Sequence, residues 1–115
     1  MNIQIFGKAK CFDTKKAERF FKERGIKYQF IDLKQKPMSK GELESVIKAV
    51  GGLDKIIDEN SRSKNAALVK YLASDEAKKE KLLEDGLLMK TPIVRNGRQA
   101  AVGYQPEVWD KWTKE

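Results

Sequence analysis

Cys11, the single cysteine of the sequence, is the residue best suited to covalent chemistry. A short β-prone run at residues 3–6 precedes it. A helical pattern follows directly, in which Ala17, Phe20 and Phe21 share one face at the i, i+3, i+4 spacing. The sequence therefore predicts that Cys11 lies between a strand and a helix, close to the N-terminus of that helix.

This position favours the thiolate, which is the nucleophilic form of cysteine. The free N–H groups and the positive dipole end of a helix N-terminus stabilise a thiolate, and nearby cations act in the same direction. Four lysines lie close to Cys11 in the sequence: Lys8, Lys10, Lys15 and Lys16. Asp13 opposes them. We predict a thiol pKa below that of free cysteine; the alternative is an inert, buried cysteine that packs as a small hydrophobe.

The composition indicates one domain of ordinary size and excludes several kinds of site. The chain has 115 residues, of which 40% are hydrophobic and 36% are charged, as in a single α/β domain with solvated helices. A lone cysteine cannot form an internal disulfide, and the lack of histidine excludes Cys-His dyads and most zinc sites. No apolar run resembles a membrane span or a signal peptide, so we expect a cytoplasmic protein with no membrane partner.

The positive charge of the chain is concentrated near Cys11 in the sequence. The net charge is +7, and residues 1–36 contain ten Lys and Arg against four Asp and Glu, so six of the seven excess charges lie there. This asymmetry favours an anionic substrate or an acidic partner. Direct nucleic-acid binding is not expected, because no nucleic-acid motif accompanies the charge. The alternative is a basic helix face that is simply solvated.

The order of the elements is that of a thioredoxin-like fold. Strand, helix and strand over residues 3–33 predict a parallel βαβ unit. A run of helices follows at about residues 39–89. Asn96-Gly97 between two β-prone runs predicts a hairpin with a type I′ turn, and a last helix starts at Pro106. We therefore predict a single α/β domain over residues 1–115, with a mixed four-stranded sheet and a helical insertion.

The chain resembles the arsenate reductase (ArsC)/Spx family over essentially its whole length. The resemblance rests on the lone Cys11 after the first strand, GIKYQFIDLKQKPMSKGEL at 25–43, Ser61-Arg62-Ser63-Lys64, LLMKTPIV at 87–94, and Val102-Gly103-Tyr104. None of these segments is specific by itself, but their order and spacing together are. The resemblance implies a nucleophilic cysteine which, in arsenate reductases, attacks arsenate and is resolved by glutathione and glutaredoxin.

Arsenate reductases also hold the oxyanion with three arginines, and this chain matches one of them. Arg62 corresponds to the first. Thr91 occupies the second position, directly before Pro92, and Tyr104 occupies the third. Since neither threonine nor tyrosine replaces the bidentate fork of arginine, the resemblance predicts little or no arsenate reduction.

The resemblance, together with the basic loop at residues 8–10, assigns roles to seven residues. Cys11 is the predicted nucleophile of a thiol-dependent reductase. In thioredoxin-like folds a cis-proline faces the cysteine, which predicts a cis Thr91–Pro92 bond. The predicted substrate-binding residues are Arg62, Lys8, Lys10, Thr91, Pro92 and Tyr104. For Lys8 and Lys10 the alternative is that they are simply solvated. The implied substrate is a small anion or thiol, with glutathione or another low-molecular-weight thiol as cosubstrate, glutaredoxin as a partner, and no bound cofactor or metal.

A second hypothesis is an Spx-like regulator that docks on the RNA polymerase α subunit. Gly52 and Leu53 with their flanking helices would form the contact. Spx proteins sense oxidation through Cys-x-x-Cys, whereas this chain has Cys11-Phe12-Asp13-Thr14 and lacks the second cysteine. A third hypothesis is a family member that has kept the fold and lost the activity. The sequence leaves enzyme and regulator open.

Overall fold

The fold is built on a four-stranded mixed sheet, seen in a computed structural model that describes residues 1–114. The strands are Ile3–Gly7 (β1), Tyr28–Asp32 (β2), Ile93–Asn96 (β3) and Gln99–Val102 (β4). Their order is β2-β1-β3-β4, with β1 parallel to β2 and antiparallel to β3, and β3 antiparallel to β4. The predicted thioredoxin-like sheet is confirmed.

Helices account for most of the remaining described chain. They are Phe12–Glu23 (α1), Lys40–Val50 (α2), Ala66–Lys70 (α3), Asp75–Glu84 (α4) and Pro106–Lys114 (α5), with short 3-10 helices at Leu53–Lys55 and Gly86–Leu88. The predicted helical insertion at 39–89 therefore contains α2, α3 and α4, and its β structure is a single bridge between Ile57 and Met89. Within residues 1–114, no helix is both long and apolar enough to cross a membrane.

The sheet separates two hydrophobic cores, because successive side chains of a strand point to opposite faces. Ile3 and Ile5 of β1 belong to a core with α1 and α5. Phe6 belongs to a second core, against α2 and α4. The predicted apolar face of α1 and both tryptophans of α5 lie in the first core: Ala17, Phe20, Phe21, Trp109 and Trp112.

The hairpin between β3 and β4 exists, but its turn differs from the predicted one. Asn96 pairs with Gln99, so the two central residues are Gly97 and Arg98. Gly97 has a φ of 61°, and no residue other than glycine has a positive φ in the described chain. A glycine with positive φ at the first central position fits a type II′ turn, not type I′. The prediction was wrong by one residue because Asn96 remains in the strand.

The loop after β1 brings Gly7 into direct contact with the first turn of α1. Thr14 of α1 is buried, with 2% of its surface exposed. A Cβ added to Gly7 would overlap the Thr14 Cγ2 and lie 2.8 Å from its Oγ1. Only glycine therefore allows the end of β1 and the start of α1 to approach this closely.

Gly7→Ala should reduce the free energy of unfolding by about 1–3 kcal/mol, because the added methyl group must displace buried Thr14. Gly41→Ala is the control, since a Cβ there meets nothing within 4 Å. That change should be neutral or stabilise the helix by up to about 1 kcal/mol. Urea denaturation measures both. Equal stability of the two variants would contradict the contact between Gly7 and Thr14.

Candidate functional site

Cys11 is the N-cap residue of α1, as the sequence predicted. Its φ of −86° and ψ of 118° are extended, and its side chain is half-buried at the end of β1. The Cys11 N–H donates to the Lys8 carbonyl at 3.1 Å. The Thr91–Pro92 bond is cis, and the Cys11 Sγ donates to the Thr91 carbonyl at 3.7 Å. Both parts of the prediction for Pro92, a cis bond and a place beside Cys11, are confirmed.

The pKa of the Cys11 thiol is lowered from its ordinary value. Partial burial acts to raise this pKa, but hydrogen bonds outweigh it: first from the Thr14 side chain, then from the Thr91 side chain, and then from the backbone N–H groups of Thr14 and Asp13. The predicted direction is confirmed. The helix N-terminus contributes as expected through its N–H groups. The lysines do not appear among the causes.

Thr14 is a site residue that the sequence analysis missed. Its hydroxyl oxygen is buried and has no hydrogen-bond partner elsewhere in residues 1–114. A buried hydroxyl without a partner is unfavourable, and ionisation of Cys11 would supply an acceptor for it. The available signal was its place three residues after the N-cap, where a side chain can reach back to the capping residue.

Thr14→Val should slow alkylation of Cys11 by iodoacetamide at neutral pH by roughly three- to tenfold, because removing the hydroxyl raises the thiol pKa. Valine keeps the shape of threonine. Thr14→Ser keeps the hydroxyl and should react within about twofold of the wild type. Rates measured from pH 5 to 10 separate a pKa shift from a change in access. A larger effect from Lys10→Ala than from Thr14→Val would show that the lysines are the main cause of the lowered thiol pKa.

The lysines around Cys11 have other contacts. The Lys8 amine lies 3.6 Å from the Asp58 carboxylate and donates to the Leu87 carbonyl at 3.0 Å. Lys16 lies 3.9 Å from the Asp13 carboxylate. Lys10 is exposed. The negative charge of Asp13, expected to oppose ionisation of Cys11, is therefore partly balanced by its neighbour on α1.

Arg62 is exposed on a loop that its two neighbouring serines attach to the body of the protein. The Ser61 hydroxyl donates to the Leu87 carbonyl at 2.6 Å, and the Ser63 hydroxyl donates to Asp85. No acidic group in the described part of the chain forms an ion pair with Arg62. Its acidic neighbours Asp58 and Glu59 therefore do not hold the Arg62 side chain. Leu87 links this loop to the Cys11 loop, because Lys8 and Ser61 bind the same carbonyl.

Asp85 is the charged centre of this attachment. Its carboxylate accepts hydrogen bonds from the Ser63 hydroxyl, the Asn65 amide at 3.1 Å and the Leu87 N–H at 3.0 Å. Burial acts to raise the pKa of Asp85, but these hydrogen bonds and the charge of Lys8 lower it. Since the folded-state pKa is lowered, the ionised carboxylate stabilises the fold above the ordinary carboxyl pKa.

Asp85→Asn should lower the free energy of unfolding at neutral pH by about 1–3 kcal/mol, because an amide nitrogen cannot accept the bonds of Ser63 and Asn65. The difference from the wild type should shrink as pH falls through the lowered pKa of Asp85. Glu84→Gln is the control, as it removes an exposed carboxylate one residue earlier. Chemical denaturation at several pH values measures all three proteins. A difference that persists in acid would contradict the role of the charge.

A cleft of about 700 Å³ opens beside Cys11. Among the predicted site residues, Cys11 and Thr91 line it, whereas Lys8, Lys10, Arg62, Pro92 and Tyr104 do not. Its other lining residues are Asp13, Val50, Lys55, Asp58, Lys90, Ala100, Ala101, Val102, Gly103, Gln105 and Val108.

Two cations of this cleft, Lys55 and Lys90, were missed as candidate site residues. They come from segments that run side by side, since the Lys90 N–H donates to the Ile56 carbonyl at 2.6 Å. Tyr104, predicted to bind substrate, is partly exposed and packs on Trp109 with ring centroids 5.6 Å apart. The Lys16 amine lies 5.3 Å from the ring centre of Tyr104.

The fold places a cysteine at the N-terminus of its first helix and a cis-proline beside that cysteine. Together these features define a thiol site of the thioredoxin-like class. The chain belongs to the ArsC family, whose model matches residues 6–112. It is similar to the global transcriptional regulator Spx 2 of Oceanobacillus iheyensis, with 34% identity over 93% of this chain and 80% of the relative. It is also 26% identical to the uncharacterized protein YusI of Bacillus subtilis, over 96% of this chain and 98% of that protein.

Solved structures of the family have the same fold. An ArsC-family-related protein of Bacteroides fragilis superimposes with a TM-score of 0.84 at 23% identity, covering 96% of this chain and 97% of that one. An arsenate reductase of Vibrio cholerae gives a TM-score of 0.82 at 24% identity over the same shares. At these identities the structures establish the fold alone. The family and its Spx relative together indicate a thiol-dependent reductase or an Spx-like regulator.

Proposed function

We propose that the protein is a thiol-dependent oxidoreductase that reacts through Cys11. The Cys11 thiolate attacks one sulfur of a disulfide, such as oxidised glutathione. A mixed disulfide forms, and the second sulfur leaves as a thiolate. A second thiol then attacks the mixed disulfide and releases Cys11 again. The observation that carries this proposal is the half-buried thiol with a lowered pKa that lines a cleft.

The surroundings of Cys11 suit a thiol that carries negative charge. Thr91, held by the cis bond to Pro92, lines the cleft beside the sulfur, and its carbonyl lies 3.7 Å from the Cys11 Sγ. Lys55 and Lys90 supply positive charge inside the cleft. Arg62 and Lys10, both exposed, add to the field that attracts an anion. Glutathione or another low-molecular-weight thiol is the proposed cosubstrate, and glutaredoxin the proposed partner that reduces the mixed disulfide.

Arsenate is not the proposed substrate. Thr91 and Tyr104 stand where the family's reductases have arginines. Tyr104 instead packs against Trp109 and lies under the amine of Lys16, so it does not line the Cys11 cleft. Without the two bidentate cations, the transition state of arsenate reduction would lack most of its charge stabilisation.

An Spx-like regulator that binds the RNA polymerase α subunit is the second candidate. The 34% identity to Spx 2 favours it. The expected contact at Gly52 and Leu53 requires a correction, because Leu53 is buried, with 7% of its surface exposed. A contact there would therefore use Gly52 and the flanking turn of the chain, and Cys11 would act at most as a single-thiol sensor.

Incubation with oxidised glutathione, followed by intact-mass measurement over a pH series, tests the proposal. We expect the mass of one glutathionyl group to be added, with a midpoint below the ~8.5 of free cysteine. Added glutathione should reverse the reaction, and Cys11→Ser should show no adduct. If the folded protein forms no adduct while the urea-unfolded protein does, Cys11 is not an accessible nucleophile and the regulator becomes the better candidate.

A further inference from the structure

The strand β4 lies at one edge of the sheet, and most of its outward backbone groups have no partner within residues 1–114. The Gly103 N–H donates to the Pro92 carbonyl at 2.7 Å, which continues the register that pairs Ala101 with Val94. In an antiparallel ladder alternate residues bond to the neighbouring strand. Ala101 and Gly103 therefore face β3, whereas Ala100 and Val102 direct their N–H and carbonyl groups away from the sheet.

One of these outward groups already has a partner. The Val102 carbonyl accepts a hydrogen bond from the Gln105 side chain at 3.1 Å. No donor or acceptor in residues 1–114 bonds to the N–H of Ala100, the carbonyl of Ala100 or the N–H of Val102. An edge with free N–H and carbonyl groups is a template for a further strand.

The Cys11 cleft runs along this free edge. Ala100 and Val102 pack against the core on the α2 side of the sheet, whereas Ala101 belongs to the core on the α1 and α5 side. All three residues line the same cleft. A cleft lined from both faces of a strand lies along the edge of that strand. It continues to Cys11 and Thr91, which line it as well.

The unpaired charges of the cleft are positive. Its two carboxylates already have partners, since Asp58 lies 3.6 Å from the amine of Lys8 and Asp13 lies 3.9 Å from that of Lys16. Lys55 and Lys90 line the cleft, and neither forms an ion pair with any residue that the structure describes. An occupant with acidic side chains would complement this charge.

We propose that the β4 edge binds an extended, acidic segment of a partner polypeptide as a fifth strand of the sheet. The small side chains of Ala100 and Ala101 leave room for an incoming strand, and Val50 and Val108 line the cleft on either side of it. Backbone hydrogen bonds provide the affinity in this mode of recognition, and the neighbouring side chains provide the selectivity. A second copy of the chain fits less well, because its net charge of +7 would oppose the pairing.

The segment would lead directly to the thiol, since the cleft joins the β4 edge to Cys11. The partner would thus be a polypeptide and not only a small thiol. Binding at the β4 edge does not depend on any reaction of Cys11. It can therefore occur whether or not the protein is an oxidoreductase.

The test is amide hydrogen exchange of the ¹⁵N-labelled Cys11→Ser protein, observed by NMR, with a capped eight-residue peptide. The peptide alternates valine and threonine and has a glutamate at each end. We expect exchange at Ala100 and Val102 to slow by at least about fivefold, the equivalent of ~1 kcal/mol, the net contribution of one hydrogen bond. A peptide with N-methyl groups on alternate residues should give no protection, and one with terminal lysines should bind more weakly.

Ala100→Pro removes one outward N–H and places its ring against the incoming strand. Proline is tolerated at an edge position that faces solvent, and circular dichroism checks that the variant folds. It should abolish the protection at Val102, whereas the control Ala100→Ser should keep it. Val102→Pro, with protection read at Ala100, replaces Ala100→Pro if that variant does not fold.

Three outcomes would overturn the proposal. The peptide could leave the exchange of Ala100 and Val102 unchanged, or it could protect amides elsewhere in the chain. The same amides could also become protected without peptide as the protein concentration rises, which would assign the edge to a second copy. Glutathionylation of the wild type is scored separately. Protection at β4 without glutathionylation would reject the oxidoreductase and support strand binding at β4. Glutathionylation without protection at β4 would support the oxidoreductase and reject strand binding.

Discussion

The carbonyl of Leu87 is the point at which the two loops of the site are joined. Lys8 reaches it from the loop before α1 and Ser61 from the loop that carries Arg62. The segment that contains Leu87 packs closely against the end of β2 at Gly86. Any Cβ at Gly86 would overlap the backbone of Leu33, just after β2. The Leu87 carbonyl and Gly86 thus fix the position of the Cys11 loop relative to the Arg62 loop, more than fifty residues away in the sequence. Asp85, directly before this segment, adds charge-assisted hydrogen bonds to the same junction.

The acidity of Cys11 follows from a few short-range hydrogen bonds and not from the overall positive charge of the chain. Surface lysines are screened by solvent, and several of them are paired with carboxylates, so their effect on a thiolate is small. A buried hydroxyl at Thr14 and the N–H groups of the first helical turn act at contact distance. The positive charge instead matters where it enters the cleft, at Lys55 and Lys90. Local hydrogen bonds therefore lower the pKa of Cys11, and the cleft lysines would attract the anionic groups of the proposed substrate.

The two proposed functions, reductase and regulator, would use the same region of this fold. A thiol with a lowered pKa, the residue before a cis-proline and the edge strand β4 all line one cleft. A small thiol would occupy the end of the cleft next to Cys11, and a polypeptide would also occupy the edge of β4. Threonine at position 91 and tyrosine at position 104, where the resemblance leads us to expect arginines, would weaken arsenate chemistry without disturbing either feature.

The sequence by itself determined the order of the elements, the apolar faces of α1 and α5, and the position of Cys11 at a helix N-terminus. Periodicity records which face of an element is buried, and capping positions are local, so both can be read from neighbouring residues. Resemblance to the family added the cis bond before Pro92. Tertiary structure alone decided that Lys8 binds Asp58 and Leu87, and that Lys55 and Lys90 line the cleft in its place. A lysine side chain is long and flexible, so its direction depends on groups that the fold brings from distant parts of the chain.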